Sequence, residues 1–447
     1  MARLNGLLNG AAGSGQPGIS GAPQAPRAGR PPLPRNVRAL AAVSFLTDVS
    51  SELVYPLLPI FLSTVLGVSA AGLGVIEGFA ESASSLLRLP AGWWSDRTGR
   101  RKPLVVVGYS IAASARPLIG LAVGAWQVLA IRVSDRFGKG IRTAPRDALI
   151  ADSVAPEHRG YAFGVHRGSD NLGAVVGPLI AWAVLAQELV SLRTLFLWTA
   201  VPGFLSVALL VLFVREDVAP RKTGTRVATA DLPKAVTDAD SAPAAVPALP
   251  GVAPLGSAFW RLLFVIFLFT LSLSTDAFLL LRASQLGVPA AMIPILWAAL
   301  HVVKSSSSVL GGALSDRVGR RPLILGGWGI YAFVYVGFAF AELQWQAWAL
   351  FLVYGLYFGF SEGTEKALVA DFAPRSRRGT AFGWFNATVG IAALPASIVF
   401  GLVWDAYGAQ AAFLMGATIA TSATLLFALV VPSGPAVAPS AAADRSS

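Results

Sequence analysis

Charged side chains stand inside long apolar runs, where each needs a reason to be there. Between residues 38 and 66 lie Asp48 and Glu52, four apart and so on one face of a helix. The next run, 71–95, repeats the spacing with Glu77 and Glu81 and adds Arg88. Residues 126–150 hold Arg132, Asp135, Arg136, Lys139, Arg142, Arg146 and Asp147. Asp135, Lys139, Arg142 and Arg146 follow at intervals of four, three and four, which makes one stripe with Arg136 beside it. Residues 160–186 add His166, Arg167 and Asp170, with His166, Asp170, Gly173 and Gly177 on one face. Later runs are sparser: Asp276, then His301 and Lys304, then Glu362, Glu365 and Lys366. A charge at the centre of a bilayer costs about 2.5–3.5 kcal/mol on insertion scales.

The chemistry such groups offer is proton and anion handling. A carboxyl in an apolar cavity can take up a proton and release it when a positive group approaches. An Arg or Lys can attract an anion or displace that proton. Asp48, Glu52, Arg136 and Lys139 fall nearest mid-run and are the leading site candidates. Glu77, Glu81 and the His166–Asp170 pair come next. Arg142, Arg146 and Asp147 are expected at the helix end. Each charge also admits a purely structural reading, as half of a salt bridge between helices.

Other chemistries lack their residues. There is no cysteine and there are three histidines, so no thiolate site, disulfide or His-rich metal centre is expected. No His-x-x-x-His pair, paired catalytic Asp motif, Gly-x-Ser-x-Gly or nucleotide loop occurs, and no cofactor is expected. The net charge of +11 could suggest nucleic acid, but the basic residues sit in short clusters between apolar runs. No nucleic-acid partner is expected.

The elements that carry these residues are long. Of 447 residues, 55% are hydrophobic and 13% charged, against about 25% charged in a soluble domain. That composition predicts a polytopic membrane protein. Apolar stretches of about 20 residues or more recur at 38–66, 71–95, 103–123, 126–150, 160–186 and 192–214. They recur again at 259–283, 289–314, 322–341, 345–370, 380–404 and 410–432. The expected fold is an all-α membrane protein of about twelve transmembrane helices in two six-helix bundles, 38–214 and 258–432. Residues 1–37 are expected as a disordered basic tail, 215–257 as a linker and 433–447 as a second tail.

Basic residues cluster in alternate loops, at Arg97–Lys102, Arg159, the linker, Arg317–Arg321 and Arg375–Arg378. By the positive-inside rule both termini and the linker are expected on the cytoplasmic side of the inner or plasma membrane. The halves also repeat each other. Ser-Asp-Arg-Thr-Gly-Arg-Arg at 95–101 recurs as Ser-Asp-Arg-Val-Gly-Arg-Arg at 315–321. Ala-Leu-Ile-Ala-Asp at 148–152 recurs as Ala-Leu-Val-Ala-Asp at 367–371, and Arg-Gly-x-Ala-Phe-Gly at 159–164 recurs at 378–383. Pseudo-symmetric parallel halves are a known transporter plan.

At Gly92–Lys102 the sequence resembles motif A of the major facilitator superfamily, with a weaker copy at Gly312–Arg321. The resemblance spans roughly residues 38–432. It implies two bundles around a central cavity that opens alternately to each side. It also implies a conformational latch built from Asp96, Arg97, Gly99, Arg100 and Arg101, with Asp316 and Arg317 in the copy. Gly173–Ala181 resembles motif C of proton-coupled antiporters, in which Gly173, Gly177 and Pro178 serve helix packing. Ala181 stands where that pattern usually has Gly. Arg136–Gly140 resembles motif B, with Lys139 in place of the usual Gln.

The expected function is therefore proton-coupled secondary transport, as an antiporter exporting a small organic compound, for which the basic stripe favours an anion. Uptake of an organic anion is the alternative; an intramembrane enzyme or a non-transporting receptor is more remote. The expected partners are a small-molecule substrate, protons and the lipid bilayer, and the chain is expected to act as a monomer.

Overall fold

The computed structural model describes residues 33–154, 159–216, 255–373 and 378–432. Most of the expected tails and linker lies outside them, as do Arg375 and Arg377. The described residues are almost wholly helical. In chain order the helices are α1 (Arg35–Val65), α2 (Ala70–Thr98), α3 (Lys102–Leu121), α4 (Ala125–Asp152), α5 (Arg159–Ala186) and α6 (Leu192–Phe213). There follow α7 (Ser257–Gln285), α8 (Ile293–Val318), α9 (Arg320–Phe340) and α10 (Gln344–Phe372). The last helical run, Arg378–Val430, is broken at Gly408, where φ is 86°. It therefore divides into α11 (378–407) and α12 (409–430). The helix bounds fall within about five residues of the apolar runs in the sequence.

Eight described runs are long and apolar enough to cross a membrane. The long helices that are not among them, α2, α4 and α10, have 29, 28 and 29 residues. They are long enough, but they carry the charges described above. Two helices deviate from α geometry for local reasons. Pro56 and Pro59 remove backbone donors in α1, which passes through a 3-10 turn at Tyr55–Leu57 and a π-helical stretch at Phe61–Val65. In α7 the α-helix stops at Ser272 and resumes at Asp276, capped by the Thr275 hydroxyl.

Hydrogen bonds identify the two ends. At one end Asn36 donates to Ser153 (3.3 Å) and to the Arg215 carbonyl (2.8 Å), and the Lys102 amide donates to Glu216 (3.0 Å). At the other, Arg193 donates to the carbonyls of Gly120 (3.0 Å) and Ala122 (2.6 Å). The interior changes character along the chain. Between α7, α9, α10, α11 and α12 it is aromatic: Phe269 stacks on Trp328 at 3.9 Å, and Tyr331 on Tyr335 at 4.2 Å. Among α1–α5 it is charged.

Candidate functional site

Four of the most buried charges form a closed set. Glu77 of α2 accepts from both Arg132 Nε (2.8 Å) and Arg132 Nη2 (2.7 Å) of α4. Asp135, one turn on, receives Arg132 at 3.4 Å and Arg116 Nε of α3 at 2.9 Å. Arg116 also donates to the Thr47 carbonyl of α1 at 2.9 Å. The four side chains are 4–6% exposed. Two acids and two guanidiniums cancel and tie four helices together. Arg116 was not among the residues singled out from sequence, because it is the lone charge of its apolar run and has no partner at helical spacing.

Outside that set lies a group without ion pairs. Asp48, Glu81, Arg88, Arg136 and Lys139 make no salt bridge among the described residues. Lys139 nevertheless lies within electrostatic range of the other four. The charges around Asp48 are Asp170, Glu52, Lys139 and Arg142. Those around Glu81 are Arg136, Lys139, Arg88 and Arg132. Glu52 faces Arg136 and Lys139 and accepts from Trp297 Nε1 of α8 at 2.7 Å. Arg136 lies 5.8 Å from the Tyr55 ring, and its Nε has no hydrogen-bond partner. Tyr55 in turn packs on Trp297 at 5.2 Å and approaches the Thr275 hydroxyl at 3.5 Å. The α1 acids thus look across to α4 bases and reach the second half through Trp297 and Thr275.

His166 and Asp170 sit together, with Nδ1 to Oδ2 at 3.6 Å. His166 Nε2 lies 2.9 Å from Ser44 Oγ of α1, which is 3.4 Å from Tyr109 Oη of α3. Arg146 Nη1 also reaches Ser44 at 3.4 Å, and Arg146 pairs with Asp147 at 2.9 Å. Arg142, expected at a helix end, is instead 4% exposed and lies 4.2 Å from the Tyr109 ring. The reason is register: ten residues separate it from the end of α4 at Asp152, and its face turns inward with Asp135.

The small residues of α5 explain how α1 comes so close. A Cβ on Gly173 would stand 2.6 Å from the Phe45 carbonyl and 2.9 Å from Asp48 Cβ. One on Gly177 would stand 2.8 Å from the Val49 carbonyl and 3.0 Å from Glu52 Cβ. The two glycines therefore seat the backbone that carries both α1 acids.

In the second half, Glu362 of α10 gathers Arg167 of α5 (3.2 Å), Lys366 (3.4 Å) and Lys304 of α8 (3.8 Å). Asp276 accepts from Tyr354 at 2.7 Å. In the serine run, Ser306 and Ser308 bond to their own helix, whereas Ser307 also reaches the Gly355 carbonyl of α10 at 3.0 Å. Near the basic loops, Gly99 has φ 63°, which lets the chain turn from α2 into α3. Arg97 lies 5.3 Å from the Trp93 ring, and Arg100 is exposed. Arg101 pairs with Asp152 and, in the second half, Arg320 pairs with Asp371. Each pair joins the two repeated motifs of its half. The side chains of Asp96, Asp316 and Arg317 lie outside the described ones. Among the described residues no cluster of His, Asp or Glu has a metal-binding arrangement.

The buried ionisable interior, the paired motifs and the helix order define an integral membrane secondary transporter. The chain belongs to the Major Facilitator Superfamily, whose family profile matches residues 40–393. It is 32% identical over 408 residues to an uncharacterized MFS-type transporter of Methanocaldococcus jannaschii, covering 89% of this chain and 95% of that one. It is 26% identical over 399 residues to the multidrug resistance protein MdtG of Enterobacter lignolyticus, covering 86% and 89%. Its fold superposes on the nucleoside transporter NupG with a TM-score of 0.69 at 14% identity, covering 88% of this chain and 98% of that one. The fold is that of a transporter working by alternating access, and the chain is not an enzyme.

Proposed function

We propose that this transporter is a proton-coupled antiporter that exports a small organic compound, anionic or carrying an acidic group. The observation that carries the reading is the division of the buried charges. Glu77, Arg132, Asp135 and Arg116 satisfy one another, whereas Asp48 lies near Lys139 and Arg142, and Glu52 near Arg136 and Lys139, with no ion pair between these acids and bases among the described residues. Acids and bases that face each other unpaired are free to exchange a proton for a substrate. Asp48 or Glu52 carries the proton; Arg136 and Lys139 bind the anion or expel the proton.

Export is favoured over uptake by the glycine seam of α5 against α1, the feature that resembles the antiporter motif. The multidrug resistance relative agrees with it. All twelve helices cross the membrane in two six-helix bundles, 38–214 and 258–432, with both termini and the linker cytoplasmic. In this reading the end that holds Arg101 and Glu216 faces the cytoplasm, as its basic loops favour. The protein acts as a monomer.

The test is flux in proteoliposomes of defined orientation. An imposed pH gradient should drive a substrate against its own gradient. Arg136→Ala should weaken binding of acidic substrates more than of neutral ones. Flux indifferent to the pH gradient in both orientations would remove proton coupling.

A further inference from the structure

Asp405 lies near the end of α11, three residues before the break at Gly408. Its carboxylate reaches out of the second half to the first turn of α2. Oδ1 accepts from the Ala70 amide at 2.9 Å and Oδ2 from the Ala71 amide at 2.8 Å. The first four amides of a helix have no partner within it. In α2 the Leu73 amide makes the first helical bond, to the Ser69 carbonyl (3.0 Å), and the Gly72 amide before it donates to the Ser69 hydroxyl (3.2 Å). The Ala70 and Ala71 amides are satisfied by Asp405. A carboxylate is also the group that the positive end of a helix dipole favours.

The contact stands at one end of a tight seam. A Cβ on Gly401 would meet the Ala70 carbonyl at 2.5 Å, one on Gly74 the Ser397 carbonyl at 2.2 Å, and one on Gly78 the Leu394 carbonyl at 3.2 Å. Farther along, Ser82 donates to the Gly390 carbonyl at 2.7 Å. α2 and α11 thus run antiparallel in backbone contact. Burial holds most of that seam, but Asp405 is exposed, and its hold on α2 is polar and breakable. At the other end of α2, Trp93 and Trp94 are 60% and 58% exposed.

We propose that Asp405 is a positioning residue of the transport cycle: its carboxylate latches α11 to the start of α2 in the state closed at this end. The latch must release when this end opens. Alternating access moves one half against the other, and a carboxylate of one half cannot then keep both amides of the other. The proposal goes beyond the reading of substrate and coupling ion and does not depend on either.

The chain has no cysteine, so introduced pairs label without background. Val123, between α3 and α4, and Leu343, between α9 and α10, are 75% and 54% exposed at this end. Spin labels at Val123→Cys and Leu343→Cys report its opening as a distance distribution in lipid nanodiscs. Asp405→Ala should raise the ratio of open to closed populations about fivefold, the typical effect of losing a helix cap. Asp405→Asn keeps one acceptor oxygen and should fall between the two. An unchanged distribution in a folded Asp405→Ala protein overturns the proposal. So does a lower melting temperature with an unchanged distribution, which would make Asp405 a plain helix cap. If the Ala variant does not fold, Asp405→Asn is read by the same criterion.

Discussion

Glu77 and Arg132 meet through two parallel hydrogen bonds of 2.8 and 2.7 Å, with both side chains almost fully enclosed. A planar fork against a carboxylate is the strongest geometry such a pair can adopt. With Asp135 and Arg116 it leaves no charge over for exchange with a substrate. Removing one member strands the other. Arg132→Met or Glu77→Gln should destabilise the protein by about 3–5 kcal/mol. The double variant should recover much of that loss, because neither charge is then left alone. Melting of the purified single and double variants decides it. Additive losses would show that the pair does not act as a unit.

The α1 acids should behave in the opposite way. Asp48→Asn and Glu52→Gln leave no paired base stranded among the described residues, so melting should change little. Proton-driven flux should be lost, while counterflow, which needs binding but no net proton movement, should persist. If both variants keep full pH-driven flux, the carrier lies elsewhere, with Glu81 and the His166–Asp170 pair next. If stability and counterflow fall together, these acids are structural.

The sequence made the helices legible because a membrane helix must be long, apolar and self-bonded. It also marked Asp48, Glu52, Arg136 and Lys139 as candidates, since charges that recur at helical spacing inside apolar runs stand out. Partner choice was not legible. Glu77 and Glu81 look equivalent at four-residue spacing, yet one faces Arg132 and the other does not pair. That difference depends on the rotation of α2 against α4, which spacing within one helix does not encode. Arg116 and Ser44 were hidden for the same reason: each acts across helices. Asp405 reads as an ordinary loop-end acid until α11 is laid against α2.

The glycine seam predicts a sharp contrast within one helix. At Gly177 a methyl group would press on the backbone of α1, 2.8 Å from the Val49 carbonyl. At Gly168 nothing lies within 4 Å. Gly177→Ala should therefore cost about 1–3 kcal/mol by overpacking. Gly168→Ala should be neutral or stabilise by up to about 1 kcal/mol through helix propensity. Melting temperatures of the two variants test this. Equal effects would mean that α1 and α5 do not approach as closely as described.

Topology can be read independently of transport. A reporter fused after Arg226, in the stretch between α6 and α7, should be active only in its cytoplasmic form. A reporter between α3 and α4, at Val123, should be active only in its external form. Activity of the external reporter after Arg226 would overturn the two-by-six arrangement, since six crossings must return the chain to its starting side.

Asp96 and Asp405 should act on the same equilibrium from opposite ends of α2. Asp96 is 26 residues beyond Ala70, about 39 Å along a helix at 1.5 Å per residue. It belongs to the motif whose resemblance implies a latch at the end near Arg101. Asp405 holds the first turn of the same helix. If each carboxylate favours closure at its own end, Asp96→Asn should shift the Val123–Leu343 distances toward the closed population. Asp405→Ala should shift them toward the open one. Sites this far apart contribute additively. The double variant should then return close to the unmodified distribution while both latches are missing, and it should transport faster than either single variant, each of which is biased to one side. A shift in the same direction from both substitutions would show that Asp96 does not oppose Asp405, and a double variant as slow as the slower single would show that the two losses do not offset.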